Sequence, residues 1–394
     1  MAELAPWTAA DPEAPLVLDR VTHLVFGGGG IRGYCYFGCI AALRDVLDLT
    51  YAGGYAAWSE RLEFAAGTSI GALFALFAVL ELEPGCLRAL LRPDGTLSHD
   101  LLPRPSTQAM SMLAIDDGRT LCRMAARLLA ERNFADSITM RGLRRCTGKL
   151  LRCTVFNALS MQAEYLDADT APDMRVVDAV AASMRVPLVY AAHVDHARRA
   201  VYTDGGGVDN FALDALPAGL AADRVLGLRT RPGSETLDFQ DAAQNGRLCL
   251  ARALLGPLAA LDAALFNRQP AALRARVVTI DTGAVTGIEL QADAAVCAAL
   301  WTAGSVEAYR AIHPARGAAV RVVTLLLRAA VEARFAVARH RALARAVRRV
   351  GRLGHSGSSS SSAASNSNAS ANASANQAAA SAATLTGDAA TGKK

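Results

Sequence analysis

The eight cysteines (Cys35, Cys39, Cys86, Cys122, Cys146, Cys153, Cys249, Cys297) include no CxxC pair and no disulfide-framework spacing. That argues against a stapled secreted scaffold and for a reducing compartment. Cys35 and Cys39, one helical turn apart, read as buried thiols rather than metal ligands. Met1 to Leu18 lacks a basic region followed by an apolar core and carries Glu3, Asp11 and Glu13 instead, so no signal peptide is expected. A membrane-spanning run is missing as well. The longest apolar stretch, Phe64 to Leu80, is broken by Gly67-Thr68-Ser69 and Gly71 and stops at Glu81, as buried protein interior would. The expectation is an intracellular protein, cytoplasmic or peripheral on membranes, with no transmembrane helix.

Acids are almost absent from one segment. Residues 316 to 352 hold ten arginines and a single acid, Glu332, for a net +9 within a chain whose total is +5. Val320, Val323, Leu327, Val331 and Phe335 recur there at helical spacing. Such a helix either lies on an anionic membrane surface or packs its apolar stripe on the core with its arginines solvated. It lacks the aromatic interleaving of a single-strand binder, so no nucleic acid is expected. From residue 353 the chain turns to Ser, Ala, Asn and Gly and has too little apolar surface to offset its ordering entropy. The expected organisation is a lead-in over residues 1–20, one α/β domain over 21–315, the basic segment over 316–352 and a disordered tail over 353–394.

What the chain does contain, at 52% hydrophobic and 20% charged over 394 residues, is enough to bury a large core. Leu24-Val25-Phe26 runs into Gly27-Gly28-Gly29-Gly30-Ile31-Arg32-Gly33 and then an apolar helical stretch from Tyr34 to Leu47. Strand, bare-backbone turn and helix make an anion cradle, because N–H groups converge there at a helix N-terminus. Gly28-x-Gly30-x-x-Gly33 also satisfies the dinucleotide fingerprint. The acid that fingerprint needs about 20 residues later is missing, since Asp45 and Asp48 fall inside the helix and Glu60 and Glu63 come too late.

A second strand, Leu62 to Ala66, leads into Gly67-Thr68-Ser69-Ile70-Gly71 and a helix over Ala72 to Leu82. G-x-S-x-G between strand and helix is a nucleophile elbow, whose sharp turn pushes the serine hydroxyl out above a helix N-terminus. The repeated strand, turn and helix indicate an α/β domain with a mainly parallel sheet. Helices are expected over Asp117 to Glu131, around Met140 to Arg145, over Asp178 to Met184 and from Ala292 to Ile312. Strands are expected over Leu150 to Asn157, Val225 to Leu228 and Arg276 to Asp281. Val201-Tyr202-Thr203 is a short strand delivering Asp204-Gly205-Gly206, a carboxylate held by a glycine bend.

Together these motifs resemble the patatin-like phospholipase family: G-G-G-x-R/K-G at Gly28 to Gly33, G-x-S-x-G at Ser69 and D-G-G/A at Asp204. Ile115-Asp116-Asp117-Gly118 and Ala181-Ala182-Ser183-Met184-Arg185-Val186-Pro187 agree with it too, and the resemblance covers about residues 21 to 240. Two positions depart from the pattern. Gly27 stands where many members carry Ser or Asp, and Phe211-Ala212 follows Asn210 where proline is common.

The resemblance implies a three-layer α/β/α hydrolase acting on glycerophospholipid esters, phospholipase A-type and calcium-independent, with no cofactor or metal. In it Ser69 attacks the ester carbonyl and Asp204 accepts its proton. Gly28, Gly29, Gly30, Arg32 and Gly33 form the oxyanion hole, while Gly67, Gly71, Gly205 and Gly206 shape the two turns. A free aspartate, with a pKa near ~3.9, is a weak base at neutral pH, so burial must strengthen it or the oxyanion hole must supply much of the rate. Arg32 either steers a phosphate headgroup or solvates the rim. A Ser-His-Asp triad is the competing arrangement, and His313 has the chain order for it, but it sits before Pro314 without a supporting motif. The alternatives for function are a catalytically silent lipid-binding protein of the same fold and a neutral-lipid esterase.

Overall fold

The computed structural model describes residues 16–92, 94–231, 246–283, 285 and 292–312, excepting the side chains of residues 88 and 246–255. His313, the basic segment 316–352 and the tail 353–394 lie outside the described residues. All of the described residues fall within residues 1–342, the first of the two units into which the chain divides.

The regular elements alternate along the chain. They are β1 (His23–Phe26), α1 (Tyr34–Thr50), α2 (Gly54–Glu60), β2 (Phe64–Thr68), α3 (Ile70–Val79), α4 (Arg119–Ala130), α5 (Met140–Thr147), β3 (Leu150–Asn157), β4 (Gln162–Leu166), α6 (Val176–Ser183), β5 (His193–Asp195), β6 (Ala200–Asp204), β7 (Val225–Arg231), α7 (Gly246–Arg268), β8 (Val277–Asp281) and α8 (Ala294–Ala311). The strands join one sheet in the order β5-β6-β3-β2-β1-β7-β8, with β4 paired to β3. From β3 through β8 the neighbours are parallel, whereas β4, β5 and β6 add antiparallel pairs.

Successive side chains on a strand face opposite sides, and the sheet is covered on both. Leu24, Phe26 and Ala65 join the larger core, which includes residues of α1, α3, α4, α6 and α8. Val25, Phe64 and Ala66 face a smaller core with Phe211, Leu213, Leu216 and Phe266 of α7. This is a three-layer arrangement around a mostly parallel sheet. The apolar run from Phe64 to Leu80 is buried almost throughout, and Cys35 and Cys39 are fully buried thiols on α1. They face α8, where the Cys39 thiol donates to Gly304 O at 3.2 Å.

The strand boundaries follow pairing more than local preference. β2 continues through Gly67 and Thr68, past the expected end at Ala66, because those residues pair with Cys153 and Thr154 of β3. Helix α3 accordingly begins at Ile70, immediately after the serine.

One charged side chain ties three elements together. Lys149 is buried, and its ammonium donates to the carbonyls of Ser59, Glu60 and Leu62 at 3.1, 2.7 and 2.6 Å and pairs with Glu81 at 3.1 Å. Ser59 and Glu60 end α2, so the lysine satisfies carbonyls that a helix terminus leaves open. Lys149→Met is expected to lower stability by about 2–4 kcal/mol, because three carbonyls lose a charged donor while Glu81 keeps Arg132 at 3.2 Å. Urea unfolding of the two proteins measures it.

Candidate active site

Strand β3 aligns the two candidate groups, Ser69 and Asp204. It pairs with β2 over residues 150–154 and with β6 over 155–157, while β4 pairs along 153–157. Because β4 overlaps both, β2 and β6 must occupy the opposite edge of β3, end to end. They run toward each other, with Thr68 opposite Thr154 and Asp204 opposite Val155. Ser69 follows Thr68, so the chain places hydroxyl and carboxylate where two strand ends meet.

The Ser69 hydroxyl donates to Asp204 Oδ2 at 2.5 Å, a length expected of a hydroxyl on an ionised carboxylate. The other oxygen, Oδ1, accepts the Gly206 N–H at 2.7 Å. Both residues are buried. Burial pushes the Asp204 carboxyl up to about 6, against the opposing pull of the Ser69 and Gly206 hydrogen bonds. Desolvation thus raises the basicity of Asp204.

Ser69 stands at φ 56°, a left-handed conformation costly for any residue with a side chain. The flanking glycines permit it. A Cβ on Gly67 would lie 2.1 Å from Gly71 O, and one on Gly71 would lie 2.3 Å from Phe26 O. A Cβ on Gly205 would sit 2.5 Å from Thr154 O.

The glycine loop adjoins the serine. A Cβ built on Gly28 would fall 3.3 Å from Ser69 Cβ, and Gly30 is held at φ 54°. Not all of its amides are open to a substrate. The N–H of Gly27 donates to Leu228 O, that of Gly28 to Asn210 O and that of Arg32 to Gly29 O, at 2.9, 2.9 and 3.0 Å. Among the described residues, no hydrogen bond engages the amides of Gly29 and Gly30. Gly33 packs against Ile70, where a Cβ would come within 2.5 Å of its side chain. The Arg32 guanidinium turns back on its own loop, with Nε donating to Gly29 O at 3.3 Å, and burial holds its pKa below the ordinary arginine value.

Gly27 and Phe211, the two departures from the family pattern, are neighbours in space. A Cβ on Gly27 would meet the Phe211 ring at 3.2 Å and Arg229 Cβ at 3.4 Å. The ring therefore occupies room that a residue-27 side chain needs. Arg229 lies over Phe211 and Phe266, at 5.6 and 4.1 Å from the ring centroids, and pairs with Asp262 of α7.

Two contributors were not singled out by the sequence reading. Ser183, at the end of α6 and wholly buried, accepts the Ser69 N–H at 2.9 Å and donates to Thr154 O at 2.6 Å. The amide of Ser69 is thereby engaged. Asn210 accepts the Gly28 N–H through its carbonyl. Both lie in stretches flanking the motifs, but nothing in their residue type announces these contacts. Ser183→Ala is expected to lower kcat on a short-chain ester roughly 10- to 100-fold with little change in KM, because it loosens the elbow without touching substrate. Steady-state kinetics separate the two constants.

Residues 24–217 match the family model described as patatin-like phospholipase. The chain carries a patatin-like domain. A protein of Invertebrate iridescent virus 6 named "Probable lipid hydrolase 463L" is 21% identical over 192 residues, which are 48% of this chain. The matched part spans 61% of that relative's length. Among solved structures, VipD from Legionella pneumophila is similar at a TM-score of 0.45 and 16% identity, over 74% of this chain and 66% of that one. Full-length ExoU of Pseudomonas aeruginosa, in complex with SpcU, is similar at a TM-score of 0.33 and 14% identity, over 65% and 52%. Among the described residues, no helix is long and apolar enough to cross a membrane.

Proposed function

We propose that this protein is a lipid acyl hydrolase that cleaves carboxylic esters of glycerophospholipids through Ser69 and Asp204. The observation that carries this is the 2.5 Å contact from the strained, elbow-borne Ser69 hydroxyl to a buried carboxylate whose pKa stands near 6. The patatin-like match and the relative named as a lipid hydrolase support the substrate class.

In the proposed reaction Ser69 Oγ adds to the ester carbonyl carbon while its proton passes to Asp204. The oxyanion is received by the amides of Gly29 and Gly30, backed by the N-terminus of α1, and a preorganised donor of this kind is typically worth ~3–4 kcal/mol. Collapse of the tetrahedral intermediate returns the proton to the departing alkoxide and leaves an acyl group on Ser69. Asp204 then takes a proton from water, which attacks the acyl-enzyme, and collapse of the second intermediate returns that proton to Ser69 Oγ as the fatty acid leaves. Gly28 and Arg32 hold the loop rather than the oxyanion, because their N–H groups already have acceptors.

The test is product analysis on defined phospholipids, with Ser69→Ala as the control. Release of fatty acid and lysophospholipid by the wild type, abolished in Ser69→Ala, is the expected result. Cleavage of triacylglycerol in place of phospholipid would move the reading to a neutral-lipid esterase. Binding without cleavage of either would make this a silent lipid-binding member.

A further inference from the structure

Five of the exposed large apolar side chains gather on two adjoining loops. Leu113 is 80% exposed, and Met110, Met112 and Ile115 of the same loop are exposed with it. Leu188, on the other loop, is 64% exposed. The loops are stitched together, since the N–H groups of Ile115 and Asp116 both donate to Val189 O, at 3.1 and 2.9 Å.

This projection is built rather than loose. Ala109 and Ala114 turn inward and form a small buried cluster with Ala191. At its base the buried Asp116 accepts the N–H groups of Arg104 and Gly118 and the Thr120 hydroxyl, at 2.7, 2.6 and 3.0 Å. The Arg185 guanidinium donates to the carbonyls of Asp117 and Ala191. Leu113 and Leu188 both adopt left-handed backbone, φ 56° and 70°, which leucine rarely takes. The fold thus holds two leucines out into solvent in a conformation that disfavours them.

The projection is also joined to the candidate site. Arg185 O accepts the Asp204 N–H at 2.9 Å, and only Met184 separates Arg185 from Ser183, which holds the Ser69 amide. Leu188 lies three residues beyond Arg185. The charge around the projection is mixed: Arg104 is exposed, Asp116 and Asp117 follow Ile115, and Arg119 pairs with Asp117 at 3.3 Å.

We propose that this apolar prow, Met110 to Ile115 with Leu188, is the surface by which the protein docks on a phospholipid bilayer. Its leucines and methionines enter the acyl boundary, which brings the Ser69 site to its substrate. The bilayer is chosen as occupant by this continuity with the site. The proposal rests on the lipid hydrolase reading.

The test compares wild type with Leu113→Asp/Leu188→Asp and with Leu49→Asp. Aspartate tolerates left-handed backbone better than leucine, so the double variant keeps the loop geometry. Leu49, 50% exposed, lies in the last turn of the 17-residue α1, whose first turn follows the glycine loop beside Ser69, and is the control. On mixed phosphatidylcholine–phosphatidylglycerol vesicles the double variant should lose binding and hydrolysis roughly ten-fold or more, with Leu49→Asp unchanged. All three should cleave soluble p-nitrophenyl butyrate alike. Leu113→Trp should show a blue-shifted emission when those vesicles are added.

Equal vesicle binding by the double variant, or no emission shift at position 113, would overturn the docking proposal while butyrate cleavage leaves the hydrolase reading standing. No cleavage of butyrate or vesicle lipid by the wild type, with binding still lost in the double variant, would overturn the hydrolase reading and leave the docking surface.

Discussion

Asp204→Asn is expected to lower kcat/KM for ester hydrolysis roughly 10²- to 10⁴-fold, the range typical of losing a general base, while making the folded protein more stable at neutral pH. The two effects have one origin. Burial raises the Asp204 carboxyl from the ordinary 3.8 to about 6, so the folded state holds the charged form at a disadvantage. A group whose folded pKa is raised favours the folded state fully below its unfolded pKa, and that contribution disappears as pH climbs through the folded one. Relative to acid pH, the penalty therefore develops between about pH 4 and 6 and is complete above it. Two pH units correspond to an upper bound of about 3 kcal/mol.

The asparagine variant removes that penalty. Its gain over wild type should be visible in urea unfolding at pH 8 and should vanish near pH 4. Wild-type kcat/KM should rise with pH through a midpoint near 6, since the ionised carboxylate is the base in the proposed reaction. A gain that persisted at pH 4 would show that burial of the charge is not its source.

Gly71→Ala is expected to destabilise the protein by about 1–3 kcal/mol and to abolish hydrolysis. Two effects oppose each other here. Gly71 lies in α3, and alanine is intrinsically better than glycine in a helix by ~1 kcal/mol. Its Cβ, however, would lie 2.3 Å from Phe26 O and 2.7 Å from Gly27 O. Those atoms are backbone, where β1 enters the glycine loop, and the clash can be relieved only by moving the loop away from Ser69. The clash wins. Gly207→Ala is the control, because nothing lies within 4 Å of a Cβ there, and it should stay within about 0.5 kcal/mol of wild type. Urea unfolding and ester hydrolysis of both variants decide the matter.

Much of the architecture is legible in the sequence because it is local. The strand Leu150–Asn157 is found over the expected residues, and the glycine run and the elbow each lie between a strand and a helix. What escapes a sequence reading is non-local. β4 (Gln162–Leu166) is partly exposed and carries Gln and Glu among its five residues, so only its pairing with β3 makes it a strand. The end-to-end meeting of β2 and β6 depends on β3 having one edge free beyond β2, which no motif records. Ser183 is one small polar residue in an apolar helix, and only the fold shows its hydroxyl between Ser69 and Thr154.

The glycine run shows the same division. Its composition marks an anion cradle, but which amides remain open follows from contacts with Leu228 and Asn210, about 200 and 180 residues away. The packing of Phe211 on Gly27 likewise turns two separate departures from the family pattern into one local exchange of volume.

The most direct measurement is the pH dependence of fluorophosphonate labelling, read by mass spectrometry at Ser69. Labelling of Ser69 alone is predicted, at a rate that rises through about pH 6, with strong slowing and loss of that pH limb in Asp204→Asn. An unlabelled Ser69, or labelling that Asp204→Asn leaves unchanged, would contradict the account.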